Sequence, residues 1–591
     1  MKLSDIKYLA SALAVGLPLS ACDDFLDRPA EDTYNTSNFY QNDAQLYQSV
    51  NTLYNSPWYD FQRGFFKVGE VMAGNYYWGS SPYLTFTVNS TDEDLVNMSA
   101  SLWSVNAYAN VALQNIDAYH GSACTTTAIN AAKGEALTWK AMAYFYLVRN
   151  FGGVPIIHDN TSIIASGDYN NVYRAKPENV YQYIVKTLNQ AIEWLPESAD
   201  AGRIDKYCAE GLLAKVYLTK AGLSGSLNTD DLQKAVDLAK DVKDNSGREL
   251  MENYSDIFRL ANNTCSESLI AWRWTAEGTN WTRQNTLQSD LAPSGFSEYG
   301  DCWGGWAGPS VDLLDAFGED PASGARVNTD ARRKATCMMA GDVYEYFWTD
   351  KASTFTKGGF EICDFYFNED DATLSARTSL TGGGTFQSPT GAQEVKHLVG
   401  DDADHIAGVG YSMQRMATSL ATHILRLADV YLILAEAQTL IDGGTTTNAD
   451  ALDAFNAVHN RSCTWKEETS ITWEQVWKER RLELACEGDR WYDYVRLHYY
   501  NPSLAISELK SQRRSTYNGL SNLYKSYYAD GQYNTSVFDN VSSDDVYYDR
   551  NPTIPNVTDA SFTLPFPDTD LGLNPHLSED PIEVDIEQYT F

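Results

Sequence analysis

The chain has 591 residues, enough for a large core in one or more domains, with 44 Lys and Arg against 79 Asp and Glu and a formal net charge of −35. A surface that acidic repels phosphate backbones and anionic lipid, which argues against a nucleic-acid partner. Aromatic residues make up 13% of the chain, including 38 Tyr and 15 Trp, and many fall in polar stretches rather than apolar runs. Sugar rings present flat C–H faces that stack on aromatic rings, while their hydroxyls need amides and carboxylates, so this composition suits a glycan ligand.

The N-terminus reads as a processing signal. Lys2 and Lys7 lie in a short basic start, and the apolar stretch Tyr8 to Leu19 is too short for a membrane-spanning helix of about 20 residues. It ends in Leu19-Ser20-Ala21-Cys22, which has the form of a bacterial lipobox. Residues 1–21 are then a lipoprotein signal peptide, Cys22 is the lipidated residue, and 22–591 is the mature protein. Several acyl chains, each contributing about 0.8 kcal/mol per buried CH₂, anchor a protein to a membrane without inserting it.

Helical periodicity follows in blocks: Asp43 to Tyr54, Trp103 to Tyr119, Ile129 to Phe151, Pro177 to Leu195, Asp205 to Leu223 and Asp230 to Asp244. Leu137, Ala141, Tyr144 and Val148 predict one buried stripe on the third, and Pro177 starts the fourth in its first turn. Three more helices are expected late, at Thr422 to Leu440, Asp450 to Asn460 and Trp473 to His498. The fold class is mainly α: adjacent amphipathic helices with short polar turns suggest stacked hairpins in the manner of tetratricopeptide repeats. This scaffold spans mainly 40–245 and 420–500; segments 265–419 and 502–591 are rich in Gly, Tyr, Trp, Asn and Asp and are expected to be loops that form the working face.

No two cysteines are spaced as CxxC, and Cys208 and Cys486 lie in apolar helical patterns, so neither a zinc motif nor a disulfide framework is expected. The eight histidines are scattered, and no GxSxG, Walker loop or GxGxxG after a strand appears. Gly382-Gly383-Gly384 reads as a flexible turn. The acidic stretches Glu369-Asp370-Asp371 and Asp401-Asp402 offer oxygen ligands for calcium, but neither follows the EF-hand spacing. Both read as solvated charge, and no cofactor or metal is assigned. Glu483, Glu487, Asp489 and Asp493 invite a glycosidase reading, which needs two opposed carboxylates. Arg480, Arg481, Arg490 and Arg496 are interleaved with them, so the cluster reads as a structural ion network and no catalytic residue is named.

Colinear motifs carry a family resemblance. They run from Cys22-Asp-Asp-Phe-Leu-Asp-Arg-Pro29 and Phe39-Tyr-Gln-Asn-Asp-Ala44 to the helix from Gly134 to Phe151 with its exit Gly152-Gly-Val-Pro155. Gly202-Arg-Ile-Asp-Lys206, Leu425 to Ala437, Glu479 to Asp493, Leu564-Pro-Phe-Pro567 and Asn574-Pro575 follow in order. Together they resemble the SusD/RagB family of Bacteroidetes nutrient-binding lipoproteins over nearly the whole mature chain. The resemblance implies four tetratricopeptide-like hairpins with a variable loop-rich face, anchorage in the outer membrane facing the exterior, and a partner, a SusC-like TonB-dependent barrel. The pair Asp23-Asp24 after the cysteine is similar to a surface-export signal of such lipoproteins. Cys486 stands where many members have Phe, and His459 where Arg is usual.

Two aromatic clusters are the candidate ligand contacts. The first is Asn75, Tyr76, Tyr77 and Trp78, with Tyr83 nearby, flanked by Gly74 and Gly79 that let a loop turn and present rings outward. The second is Tyr299, Asp301, Trp303 and Trp306, again in a glycine-spaced segment. Asp60 and Arg63 are further candidates for hydroxyl contacts. The expected function is capture of an extracellular oligo- or polysaccharide for the barrel. The alternatives are a peptide-binding protein of the same kind and a surface glycoside hydrolase.

Overall fold

The computed structural model describes residue 35 and residues 38–591, apart from 279, 298, 323–328, 369–384, 464–466, 532–546 and 549–554. The signal peptide, Cys22, Asp23-Asp24, Glu369-Asp370-Asp371 and Gly382-Gly383-Gly384 lie outside the described residues.

Ten helices form the frame: α1 Asp43–Val50, α2 Glu93–Tyr119, α3 Thr126–Phe151, α4 Pro177–Trp194, α5 Lys206–Lys220, α6 Thr229–Asn245, α7 Leu427–Ile441, α8 Ala449–Ser462, α9 Trp473–Glu483 and α10 Arg490–Tyr500. Asp92, Thr125, Asp205 and Asn228 cap α2, α3, α5 and α6, each accepting a first-turn N–H. Such caps are each worth about 1 kcal/mol. From α2 to α8 each helix packs on the next, across the long gap in sequence between α6 and α7, and α9 closes on α7. The class is therefore mainly α, as the periodicity predicts, with six two-stranded sheets among the described residues.

Four expectations need correction. First, α2 starts at Glu93, ten residues before Trp103, because Asp92 caps it there. Second, every residue of α3 from Gly134 to Phe151 is buried, so the stripe through Leu137 and Val148 is one side of an enclosed helix. Third, residues 422–426 form a strand paired with Ser268–Trp272, and the helix begins only at Leu427. Fourth, the expected helix Trp473 to His498 breaks between α9 and α10, where Cys486 and Gly488 have φ of 65° and 74°. The break is a close approach of backbones: a Cβ on Gly69 would lie 2.2 Å from the carbonyl of Gly488.

The glycine- and aromatic-rich segments are also less loop-like than expected. Phe296, Tyr344, Phe347, Trp348, Phe360 and Phe365 form a second core, joined by Leu523 and Tyr524 of the helix Leu520–Asp530. Much of the aromatic content thus packs the fold rather than facing solvent. The eight cysteines other than Cys22 are free thiols.

Candidate functional site

The first aromatic cluster does not turn outward. Asn75, Tyr76 and Tyr83 are fully buried, while Tyr77 and Trp78 are half-buried. The reason is strand pairing: Tyr76–Tyr77 (β1) lies antiparallel to Gly308–Pro309 (β2), with Tyr77 opposite Gly308. Tyr76 then points inward, edge-on to Phe66 at 4.8 Å, and the Tyr83 hydroxyl donates to Asp92 at 2.8 Å. Gly74 turns the chain inward at φ 78°, where a Cβ would collide with Gln512.

The second cluster does face out. Tyr299, Trp303 and Trp306 are 38%, 45% and 62% exposed, whereas Asp301 is buried. Asp301 accepts the Ser297 hydroxyl and the Met416 N–H, so it shapes the loop from below. The Trp303 indole donates to Asp290 at 2.9 Å, and the Tyr299 hydroxyl donates to the Met413 carbonyl at 3.2 Å. Gly304 lies against the backbone of Leu291 and Gly305 against Gln387, where any side chain would clash. The loop is pinned beneath and its rings stand in solvent.

Sequence reasoning missed Trp281, which is 51% exposed and edge-on to Tyr59 at 6.3 Å. Its signal was there, a lone Trp between Asn280 and Thr282, but it belongs to no cluster. Arg63 proves central. Its side chain is 46% exposed, and its Nε lies 3.6 Å from both Asp94 and Asp290. Lys67 pairs with Asp94 and sits 5.1 Å above the Trp78 ring. A run of contacts thus joins the two clusters, from Trp78 through Lys67, Asp94, Arg63 and Asp290 to Trp303. Burial raises the Asp290 carboxyl, and Arg63 pulls it back. Burial also pushes the Tyr59 hydroxyl up to about 12. Asp60 is exposed, its carboxyl raised by partial burial.

Beneath this surface Glu70 ties the pieces together. Its fully buried carboxylate accepts from the Asn75 amide at 2.9 Å and from the N–H groups of Cys486 and Gly488 at 3.0 and 2.7 Å. Burial pushes that carboxyl up to about 7, against the pull of these three donors. Asn75 accepts in turn from Arg481 Nε at 2.9 Å.

Two hollows lie elsewhere. One of about 430 Å³ is walled by Phe86, Phe151 and Phe566, and one of about 1090 Å³ runs between α4, α6 and residues 583–591. Trp281, Trp303 and Trp306 line neither of these hollows.

The acidic cluster of α9 and α10 is an ion network. Burial pushes Glu483 up, but Arg461, Arg426 and Arg332 outweigh it and hold the carboxyl down to about 2. Glu487 pairs with Arg426 and Lys396, Asp489 with Lys215 and Arg149, and Asp493 with Arg480, Arg490 and Arg496. Each carboxylate is matched, which leaves none of the four free to work as an acid or a nucleophile. Asp401 is not solvated charge: it is buried, caps the helix Asp402–Val409 in a reciprocal box with Asp404, and pairs with Lys351. His459 Nδ1 donates to the Glu479 carboxylate at 2.9 Å and the ring stacks on Phe455, a packing role.

Residues 266–582 match the model of the SusD family, and residues 24–218 match a model described as starch-binding associating with outer membrane. A SusD-like protein of Bacteroides ovatus is 31% identical, covering 99% of this chain and 98% of its own length. A crystal structure with xylogluco-oligosaccharide superposes with a TM-score of 0.74 at 29% identity, covering 91% of this chain and 99% of the other. A laminarin-binding SusD-like protein shares the fold, with a TM-score of 0.59 at 23% identity over 79% and 94% of the two chains.

Proposed function

Because this chain belongs to the SusD family, we propose that it captures an extracellular glycan on the open face formed by Trp281, Trp303 and Trp306. The observation that carries this reading is three tryptophans 45% to 62% exposed, two of them on a loop pinned from below. Large apolar rings left in water lower the driving force for folding, and such patches mark binding surfaces. Flat indole faces stack on the C–H faces of sugar rings, and Arg63 and Asp60 offer hydroxyl partners beside them. Tyr299 extends the apolar surface; Trp78 and Tyr77 form its half-buried margin. Asn75, Tyr76, Tyr83 and Asp301 support the site without touching ligand. An open face suits a long chain that continues past its ends, which favours a polysaccharide over a small metabolite. The xylogluco-oligosaccharide held by a similar structure makes that glycan the first probe. In this reading Cys22 carries the acyl anchor, the protein sits on the outer membrane facing out, and it hands glycan to a SusC-like TonB-dependent barrel. No catalytic step is assigned to it.

Calorimetry against xylogluco-oligosaccharides and a panel of other glycans tests the proposal. Trp281→Ala and Trp303→Ala are each expected to weaken binding about tenfold, as removal of a central aromatic anchor does. Their melting temperatures should stay at the wild-type value. Binding of peptides but no glycan by the wild type would overturn the substrate class, and undiminished binding by both variants would overturn the site.

A further inference from the structure

The structure assigns Glu70 and Asn75 a role beyond packing: we infer that they are positioning residues that set the two halves of the aromatic face in register. The inference rests on the glycan reading and names how that site is held.

One helical element, Gln62–Phe66 with its π-helical extension Lys67–Met72, reaches both halves. Arg63 meets Asp290, which holds the Trp303 indole, while Phe66 and Lys67 lie against Trp78. Single π turns inside helices are strained and recur at functional sites. Glu70 is in this one. Its carboxylate spans from the α9–α10 break to Asn75, and Asn75 is the residue before β1. The Asn75 carbonyl accepts from Ser310 N at 2.8 Å, just after β2, and the Ser310 hydroxyl donates to the Gly74 carbonyl at 2.6 Å. Trp78 follows β1 and Trp306 precedes β2, so one buried junction fixes where both strands leave the core. Arg481, bonded to Asn75 and paired with Asp312 at 2.7 Å, ties the same junction to α9. On its other side Trp306 is held through its neighbours, the Gly304 N–H donating to the Ala292 carbonyl at 2.9 Å and the Gln393 amide to the Gly305 carbonyl at 3.1 Å, so the junction sets the side of the loop that enters β2.

A positioning role predicts coupling. If Glu70 places Trp306 against the ligand, then loosening Glu70 should make Trp306 matter less, whereas Trp281 and Trp303, held by Tyr59 and Asp290, should matter as before. The measurement is calorimetric affinity for a long xylogluco-oligosaccharide in wild type, Glu70→Gln, Trp306→Ala and the double variant, with a parallel cycle on Trp281→Ala. Glutamine keeps the shape but aims an N–H₂ at donors. Expected are about tenfold losses for Glu70→Gln and for Trp306→Ala alone, and a loss of less than about threefold from Trp306→Ala once Glu70 is changed. The Trp281 cycle should be additive. A merely structural role would leave both cycles additive or lower both together. Asn75→Ala is the second variant, with the same expected pattern. Additive Trp306 cycles overturn the inference, as does failure of both variants to fold, which would make the junction purely structural. A wild type that binds no glycan overturns the functional reading and this inference with it.

Discussion

The α9–α10 region and the aromatic face invert each other. Around the helix break the interior is filled with charge: Arg332, Arg426 and Arg480 are buried, and Arg461 half-buried, against Glu483, Glu487, Asp429 and Asp493. Aromatic rings there serve as cushions, with Arg490 stacked 3.9 Å over Trp477 and Arg149 3.7 Å over Phe145. At the face the order is reversed, with rings in water and the charges Asp94 and Asp290 beneath them. Buried charge is costly and stays only when every member is matched, so it specifies one packing of the scaffold. Exposed tryptophan contributes little to stability and is kept for contact with something else. The difference separates what holds this molecule from what it works with.

The largest test removes one member of the buried network. Glu483→Ala would leave Arg332, Arg426 and Arg461 facing one another without their shared carboxylate. Breaking a buried pair in this way costs about 3–5 kcal/mol, read by urea denaturation. A cost below about 1 kcal/mol would mean that the network tolerates gaps as surface charges do, and the contrast with the face would fail.

Acid provides the next test. Glu483 and Asp493 are held below their ordinary values of 4.5 and 3.8, so their contribution is complete above those values and is lost as pH falls toward the folded ones. Burial pushes His158, His397 and His423 from 6.5 down to about 4, so their contribution is lost earlier, as pH falls from about 6.5 to about 4, where the raised carboxyls of Glu70, Glu135 and Glu394 bind protons first in the folded chain and oppose that loss. Below about pH 4.5 the histidine loss is nearly complete and the two carboxylates carry the further fall. The raised carboxyls of Glu70, Glu135 and Glu394 do not oppose them there, being protonated in folded and unfolded chains alike. Thermal unfolding followed by circular dichroism should show a midpoint that drops steeply from about pH 5 to about pH 3; a flat profile would contradict the charged-core account.

How much of this was legible in sequence depends on the kind of signal. The long helices were, because Pro177, Asp205 and the spacing of apolar residues are local features. The α9–α10 break was not, since Glu483 to Arg490 reads as continuous helix until Gly69 and Glu70 arrive from the far end of the chain. The Thr422–Arg426 strand likewise exists only because Ser268–Trp272 lies beside it. Of the site, Trp303 and Trp306 were readable as aromatics among glycines. Asn75 and Tyr76 looked the same and lie inside, because pairing with Gly308–Pro309, invisible in either segment alone, decides which way they face. Trp281 was overlooked for the opposite reason: it has no aromatic neighbour in sequence and finds Tyr59 only in space.

The smallest effect is expected at Arg63, and it sharpens the comparison most finely, because this residue belongs to both regimes. Its guanidinium is shared between two buried carboxylates, yet nearly half of its side chain is exposed beside the tryptophans. A hydrogen bond from a charged donor to a sugar hydroxyl contributes at most a few kcal/mol, and solvent and the existing partners reduce it. Arg63→Ala should therefore weaken glycan binding about threefold, on the order of 0.6 kcal/mol, measured by the calorimetry used for Trp303→Ala. Arg63→Lys keeps a charge between Asp94 and Asp290 but lacks the planar fork, and should recover part of that loss. If Arg63→Ala instead cost more than Trp303→Ala, recognition would rest on polar grip rather than stacking. The exposed rings would then be the frame and the charge beneath them the contact.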